Sequence, residues 1–218
     1  MTNALFGIAA AVVGVGAGWL THRLNQWFAT TEPEATEPAL PREELWAPLL
    51  DAVLLGILFY RAELNARSVV ASVVIVILVQ VLVFDARHRL ILNRVIYPAS
   101  ALAVLGSTVN PLISGTLRER VVSALLGAVA AGLFFLLLSL ATRGGIGLGD
   151  AKLAFFLGAT LGATPLPSPI VRALIAGIVF GGVVSVALLV SGVKGMKDYI
   201  AYGPYLCLGG AYTLLFPP

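Results

Sequence analysis

The chain has 218 residues, of which 59% are hydrophobic and 11% charged, with a net charge of +3 and a mean hydropathy of +0.96. An ordinary soluble domain is about 45–50% apolar and about 25% charged, so this much apolar surface needs a bilayer to cover it, and a water-soluble globule is excluded. The basic residues stand singly between apolar runs, which argues against nucleic acid as a partner, and the lone Cys207 excludes an intrachain disulfide or a cysteine metal site.

Apolar stretches near the spanning length of about 20 residues fall at 4–21, 46–60, 68–84, 95–113, 120–141, 151–163, 169–192 and 200–216. They predict an all-α, polytopic protein of about eight transmembrane helices, forming one domain over residues 1–218. The first stretch has the uncharged Asn3 where a signal peptide carries basic residues, so it is expected to be a retained helix, with Gly14, Gly16 and Gly18 at small-residue spacing for packing. Between the first two stretches, about residues 30–48, five glutamates and four prolines predict a polar, flexible cytoplasmic loop.

Lys and Arg in the connections set the expected orientation. Arg23, Arg42, Arg87, Arg89, Arg94, Arg143, Lys152, Lys194 and Lys197 fall on one side, against Arg61, Arg67, Arg118, Arg120 and Arg172 on the other. The first side is expected to be cytoplasmic, and it carries the polar connections 85–94, 142–152 and 193–203. Trp19, Trp27 and Trp46 are read as interfacial anchors and Asp198 as a solvated loop acid.

Three segments on that side carry chemistry. Asp85 directly follows the apolar run Val73–Phe84 and precedes Ala-Arg-His88-Arg89-Leu-Ile-Leu-Asn93; an acid there also suits a solvated helix end. Gly144-Gly-Ile-Gly-Leu-Gly-Asp150-Ala-Lys152-Leu153 puts four glycines before a second aspartate. Glycines let backbone approach backbone, and a side chain at Gly147 or Gly149 is expected to restrict φ there. A flexible connection with Asp150 as N-cap fits the same composition. In Tyr202-Gly203-Pro204-Tyr-Leu206, Gly-Pro interrupts periodicity where a helix can start. Gly158 and Gly162 are assigned to helix packing.

Together these segments resemble the prepilin peptidases, or type IV leader peptidases, of the Gly-x-Gly-Asp class of intramembrane aspartyl proteases. Asp85 with His88, Arg89 and Asn93 matches the first-aspartate motif, Gly147-Leu-Gly-Asp-Ala-Lys-Leu153 the Gly-x-Gly-Asp-x-Lys-Leu motif, and Tyr202-Gly-Pro-Tyr-Leu206 the late aromatic-Gly-Pro motif. Gly16-Ala-Gly-Trp-Leu-Thr-His-Arg-Leu24 resembles the family's first helix end. The resemblance implies an aspartic endopeptidase of the cell membrane with its site facing the cytoplasm, removing leaders from prepilins or pseudopilins. Asp85 and Asp150 are then catalytic, while Gly147, Gly149, Lys152, His88, Arg89, Asn93, Gly203 and Pro204 bind or position substrate.

Two departures qualify the match. The Cys-x-x-Cys pairs that hold zinc in many members have no counterpart at 30–48, so no metal is expected. Proteolysis needs no cofactor, and S-adenosylmethionine enters only if a member's N-methyltransferase activity is retained. Leu92 also replaces the proline usual before Asn93. A different reading of the same aspartates is a proton- or cation-coupled transporter; against it, both acids fall at one membrane face and no inverted repeat is visible. Oligomeric state leaves no mark in the sequence.

In the peptidase reading, one carboxylate activates water and the other protonates the carbonyl or leaving amine. Asp85 ends a helix and Asp150 opens one, so the helix dipoles assign the proton to Asp85 and the negative charge to Asp150.

Overall fold

The computed structural model describes residues 2–32, 45–142, 147–164, 168–192 and 202–217, and all regular structure among them is helical. In chain order the helices are α1 (Thr2–Thr31), α2 (Trp46–Arg61), α3 (Ala66–His88), α4 (Asn93–Leu105), α5 (Leu117–Ala141), α6 (Leu148–Leu161), α7 (Pro169–Val190) and α8 (Gly203–Leu215), with a 3-10 turn at Gly106–Thr108. Helices are what apolar runs must form in lipid, where each backbone N–H and C=O needs a partner within its own segment. α1, α3, α5 and α7 are long and apolar enough to cross a membrane, and the chain is an all-α membrane protein.

Side chains mark the starts of two spans. Asn65 and Ser68 exchange hydrogen bonds at the start of α3, and Thr116 and Glu119 do the same for α5, each satisfying amides that have no partner inside the helix. Small residues then let helices touch. Gly14 and Gly18 of α1 lie against the backbone of Asp51 and Pro48 on α2, whereas Gly16 faces open space and takes no part. On α5 and α6, a Cβ at Gly127 would meet the carbonyl oxygen of Gly158 at 2.6 Å, so these two helices are in backbone contact.

α4, α6 and α8 have 13, 14 and 13 residues, or about 20 Å each at 1.5 Å per residue. They are short of the roughly 30 Å hydrocarbon layer; α6 and α8 are largely buried, whereas α4 leaves Tyr97, Leu102 and Leu105 exposed. α6 is the most enclosed, with Leu153, Ala154, Leu157 and Ala159 all inaccessible.

Three expectations need correction. α1 runs ten residues past the expected end at 21 because its polar residues point inward: Thr21, His22 and Asn25 are buried, and Asn25 Nδ2 donates to the Gln80 carbonyl at 3.5 Å. The span expected at 95–113 stops at Leu105. The following segment folds back under cover, with Asn110 Nδ2 donating to the Thr160 carbonyl at 2.9 Å and Leu112 and Ile113 buried. The loop expected at 30–48 is narrower, since Thr30 and Thr31 belong to α1 and Trp46–Pro48 open α2. Its remaining residues 33–44 lie outside the described residues, as do Arg143, Gly144, Gly145, Lys194, Lys197 and Asp198.

Candidate active site

α3 delivers Asp85 in its last turn and stops three residues later. Arg89 takes φ 53° and ψ 37°, the only left-handed non-glycine among the described residues, and its N–H donates to the Asp85 carbonyl at 2.8 Å. That conformation costs an L-residue about 1–2 kcal/mol, and it turns the chain so that Ile91 and Leu92 are buried before α4 starts at Asn93. Leu92, in the N-cap position, makes no side-chain hydrogen bond there.

α6 delivers Asp150 from its first turn. The N-cap position belongs to Gly147 rather than Asp150. Asp150, three residues on, reaches back so that its Oδ2 accepts the Gly147 N–H at 3.2 Å, which satisfies one exposed amide and sets a carboxylate at the positive end of the helix. Gly147 has φ −70° and ψ 146°, and Gly149 is not among the positive-φ glycines. At both positions the resting backbone is one that other residues also adopt. What constrains Gly149 is space, because a Cβ there would lie 3.1 Å from the Ile91 Cβ.

α8 completes the site at its start. A Cβ on Gly203 would overlap Asp85 Oδ2, so only a bare α-carbon lets α8 begin against that carboxylate. Tyr202 just before it, Asp85, Arg89, Asn93, Gly147, Gly149, Asp150 and Lys152 line one cavity of about 260 Å³. Asp85 and Asp150 are 5% and 4% exposed, shielded from bulk water. Lys152 Nζ donates to Asn93 Oδ1 at 2.8 Å and lies 5.2 Å from the centre of the Tyr97 ring, tying α6 to α4 at the mouth.

Not every expected residue arrives. His88 is buried with its ring 4.6 Å from that of Phe84 and does not line the cavity. Pro204 sits in the first turn of α8, behind Gly203. Among the described residues no group of three or more His, Cys, Asp or Glu gathers as a metal site.

Sequence reasoning missed two things. Tyr202 was read as part of a motif but not as lining the site. Asp51 was not singled out, yet it is wholly buried on α2 and neither carboxylate oxygen has a hydrogen-bond partner. Its signal was available, because a lone acid within the apolar run Trp46–Tyr60 is an intramembrane ionisable residue of the kind that marks function.

The type IV leader peptidase family matches residues 72–186, just over half the chain, and that stretch holds both aspartates of the cavity. The chain belongs to the type IV leader peptidase family. Similar proteins of the family include "Prepilin leader peptidase/N-methyltransferase" of Dichelobacter nodosus, 32% identical over 61% of this chain and 43% of that protein. The protein of the same description from Bacillus subtilis is 26% identical over 78% of this chain and 64% of its own length. A third, from Burkholderia pseudomallei, is 39% identical over 43% of this chain and 31% of that protein. The chain thus spans less than two thirds of the length of each of these relatives. No solved structure matches it. The family match ends before α8, so the approach of Gly203 to Asp85 is a separate observation on the same site.

Proposed function

We propose that this peptidase-family chain hydrolyses the peptide bond between the leader and the mature part of a prepilin or pseudopilin. The supporting observation is that a carboxylate from the end of one helix and another from the start of a second face a single cavity within the stretch the family matches. A pair of carboxylates sharing a proton can do both jobs that hydrolysis needs. The charged partner removes a proton from water as its oxygen bonds to the carbonyl carbon. The protonated partner gives its proton to the carbonyl oxygen; the proton taken from water then passes to the leaving nitrogen as the C–N bond breaks, and the proton on oxygen returns to its carboxylate as the carbonyl reforms.

Asp150 suits the charged role, because the Gly147 N–H and the positive end of α6 both favour negative charge there. Asp85, at the negative end of α3, suits the protonated role. Arg89, Asn93, Gly147, Gly149 and Lys152 line the cavity where the substrate backbone would lie, and Gly203 keeps α8 against Asp85. The nine-to-five distribution of Lys and Arg supports a cytoplasmic site in the cell membrane, where a basic leader would be held. N-methylation of the new terminus, the second activity in the relatives' names, is not part of this reading, since the carboxylate pair accounts for hydrolysis alone. Nothing in the comparisons favours the transporter reading.

The test is cleavage of a prepilin by purified protein in detergent, followed by mass analysis of the product terminus. Asp85→Asn and Asp150→Asn should each lower the rate by at least about 100-fold, the scale of general acid–base catalysis, with membrane insertion unchanged. Substantial cleavage by either variant would overturn the assignment.

A further inference from the structure

A second concavity lies beside the first. α4, α5 and α6 enclose a cleft of about 560 Å³ whose walls are almost wholly apolar. From α5 it takes Val129, Gly132, Leu133 and Leu136, and from α6 Leu148, Ala151, Lys152 and Phe155. Both sets repeat at i, i+3, i+4 and i+7, so each helix presents one continuous face. Seven residues at 1.5 Å rise make the cleft about 10 Å long, two helical turns.

The cleft runs into the dyad cavity. Leu148 and Lys152 line both spaces, and the Lys152 ammonium, held by Asn93 and over Tyr97, marks the polar end. The floor is kept low by Gly132, where a Cβ would press on Phe155 at 3.1 Å. Val129, Leu133 and Leu148 are 57%, 49% and 57% exposed. This is an open, apolar trough that starts at the carboxylates and has a small-residue floor, as helix-on-helix contacts in membranes do.

We propose that this cleft is the docking groove for the apolar helix that follows the scissile bond of the substrate. The inference rests on the peptidase reading above. The chain beyond a peptide bond held at Asp85 and Asp150 has to leave the cavity, and where it leaves into lipid it must be an apolar helix, the form that satisfies its own backbone there. This cleft shares Leu148 and Lys152 with the dyad cavity and continues it along an apolar path. The helix-in-groove mode takes its affinity from such facing apolar stripes. A lipid chain could fill the same space, but it would have no reason to be continuous with the reacting carboxylates.

The experiment compares two substrates with the full chain in detergent: a synthetic prepilin with its leader, cleavage site and an apolar helix of about 20 residues, and the same leader and cleavage site truncated before that helix. Val129→Trp and Leu133→Trp fill the groove from exposed positions. Each should lower the preference for the helix-bearing substrate, measured as the ratio of the two kcat/KM values, at least tenfold. Val186→Trp on α7, also at an exposed position and outside the groove, should leave that ratio unchanged. A photo-cross-linking residue at Leu133, in the inactive Asp85→Asn background, should capture the substrate's helix and so tests the groove even if a tryptophan variant fails to fold. Wild-type preference in the folded tryptophan variants, or cross-links to lipid or detergent alone, overturns the groove. Wild-type protein that cleaves neither substrate overturns the peptidase reading instead.

Discussion

The backbone of Gly203 lies against the carboxylate of Asp85, so that any side chain at position 203 would overlap Oδ2. The first turn of α8 is thereby part of what holds Asp85 in the cavity. Gly203→Ala should lower the initial cleavage rate at least tenfold, since a misplacement of about 1 Å costs on the order of 100-fold, with little loss of monodisperse protein. Gly182→Ala is the control, because nothing lies within 4 Å of a Cβ there. Equal rates in the two variants would mean that α8 does not position Asp85.

The two glycines of the Gly-x-Gly-Asp segment should behave differently. Gly147 has an ordinary extended conformation and contributes its N–H to Asp150, so Gly147→Ala, which keeps both, should cleave faster than Gly147→Pro. Gly147→Pro fits the same φ but removes the donor, and should be slower by about tenfold, the kinetic equivalent of one hydrogen bond of about 1.4 kcal/mol. Gly149→Val meets Ile91 and should also slow turnover. Initial rates normalised to folded protein decide the matter, and a Gly147→Ala as slow as Gly147→Pro would show a need for glycine itself.

The Lys152–Asn93 hydrogen bond joins two short helices at the mouth of the cavity. A double-mutant cycle with Lys152→Met and Asn93→Ala, read by thermal unfolding in detergent, should give a coupling of about 0.5–1.5 kcal/mol. Additive effects would show that the contact holds nothing together.

Topology has a direct readout. Cysteines placed at the exposed Thr30 and Thr142 should be labelled from the cytoplasm, and those at Leu64 and Thr116 from outside. The native Cys207 is buried, so it should not contribute a background. The opposite pattern would put the aspartates on the wrong face for a cytoplasmic leader.

The helices and the two aspartates were legible because lipid solvent leaves so few options: long apolar runs must be helical, and acids at their ends stand out. Hydropathy erred where polar residues face protein instead of water. Thr21, His22 and Asn25 made α1 look ten residues shorter than it is, and Asn110 made a buried turn look like the tail of a span. At the site, the motifs named Asp85, Asp150 and their glycines, but the reason for each glycine needed coordinates. Gly203 makes room for a carboxylate, Gly149 for Ile91, and Gly147 lines the cavity and gives its amide to Asp150. His88 shows the reverse case, a residue prominent in the sequence that is buried beside Phe84 and does not line the cavity.

The contact between Gly127 and Gly158 has a mechanical consequence. It pins α6 to α5 at the end remote from Asp150, and that end is pinned again where the amides of Ala163 and Thr164 both donate to Ser123 Oγ at 2.9 Å. The end bearing Asp150 is held by Phe155 under Gly132, by Gly149 against Ile91 and by the Lys152–Asn93 bond. From Gly158 to Asp150 is eight residues, about 12 Å of helix. A tilt of about 5° swings Asp150 by about 1 Å, the distance over which orientation decides whether a bound peptide reacts.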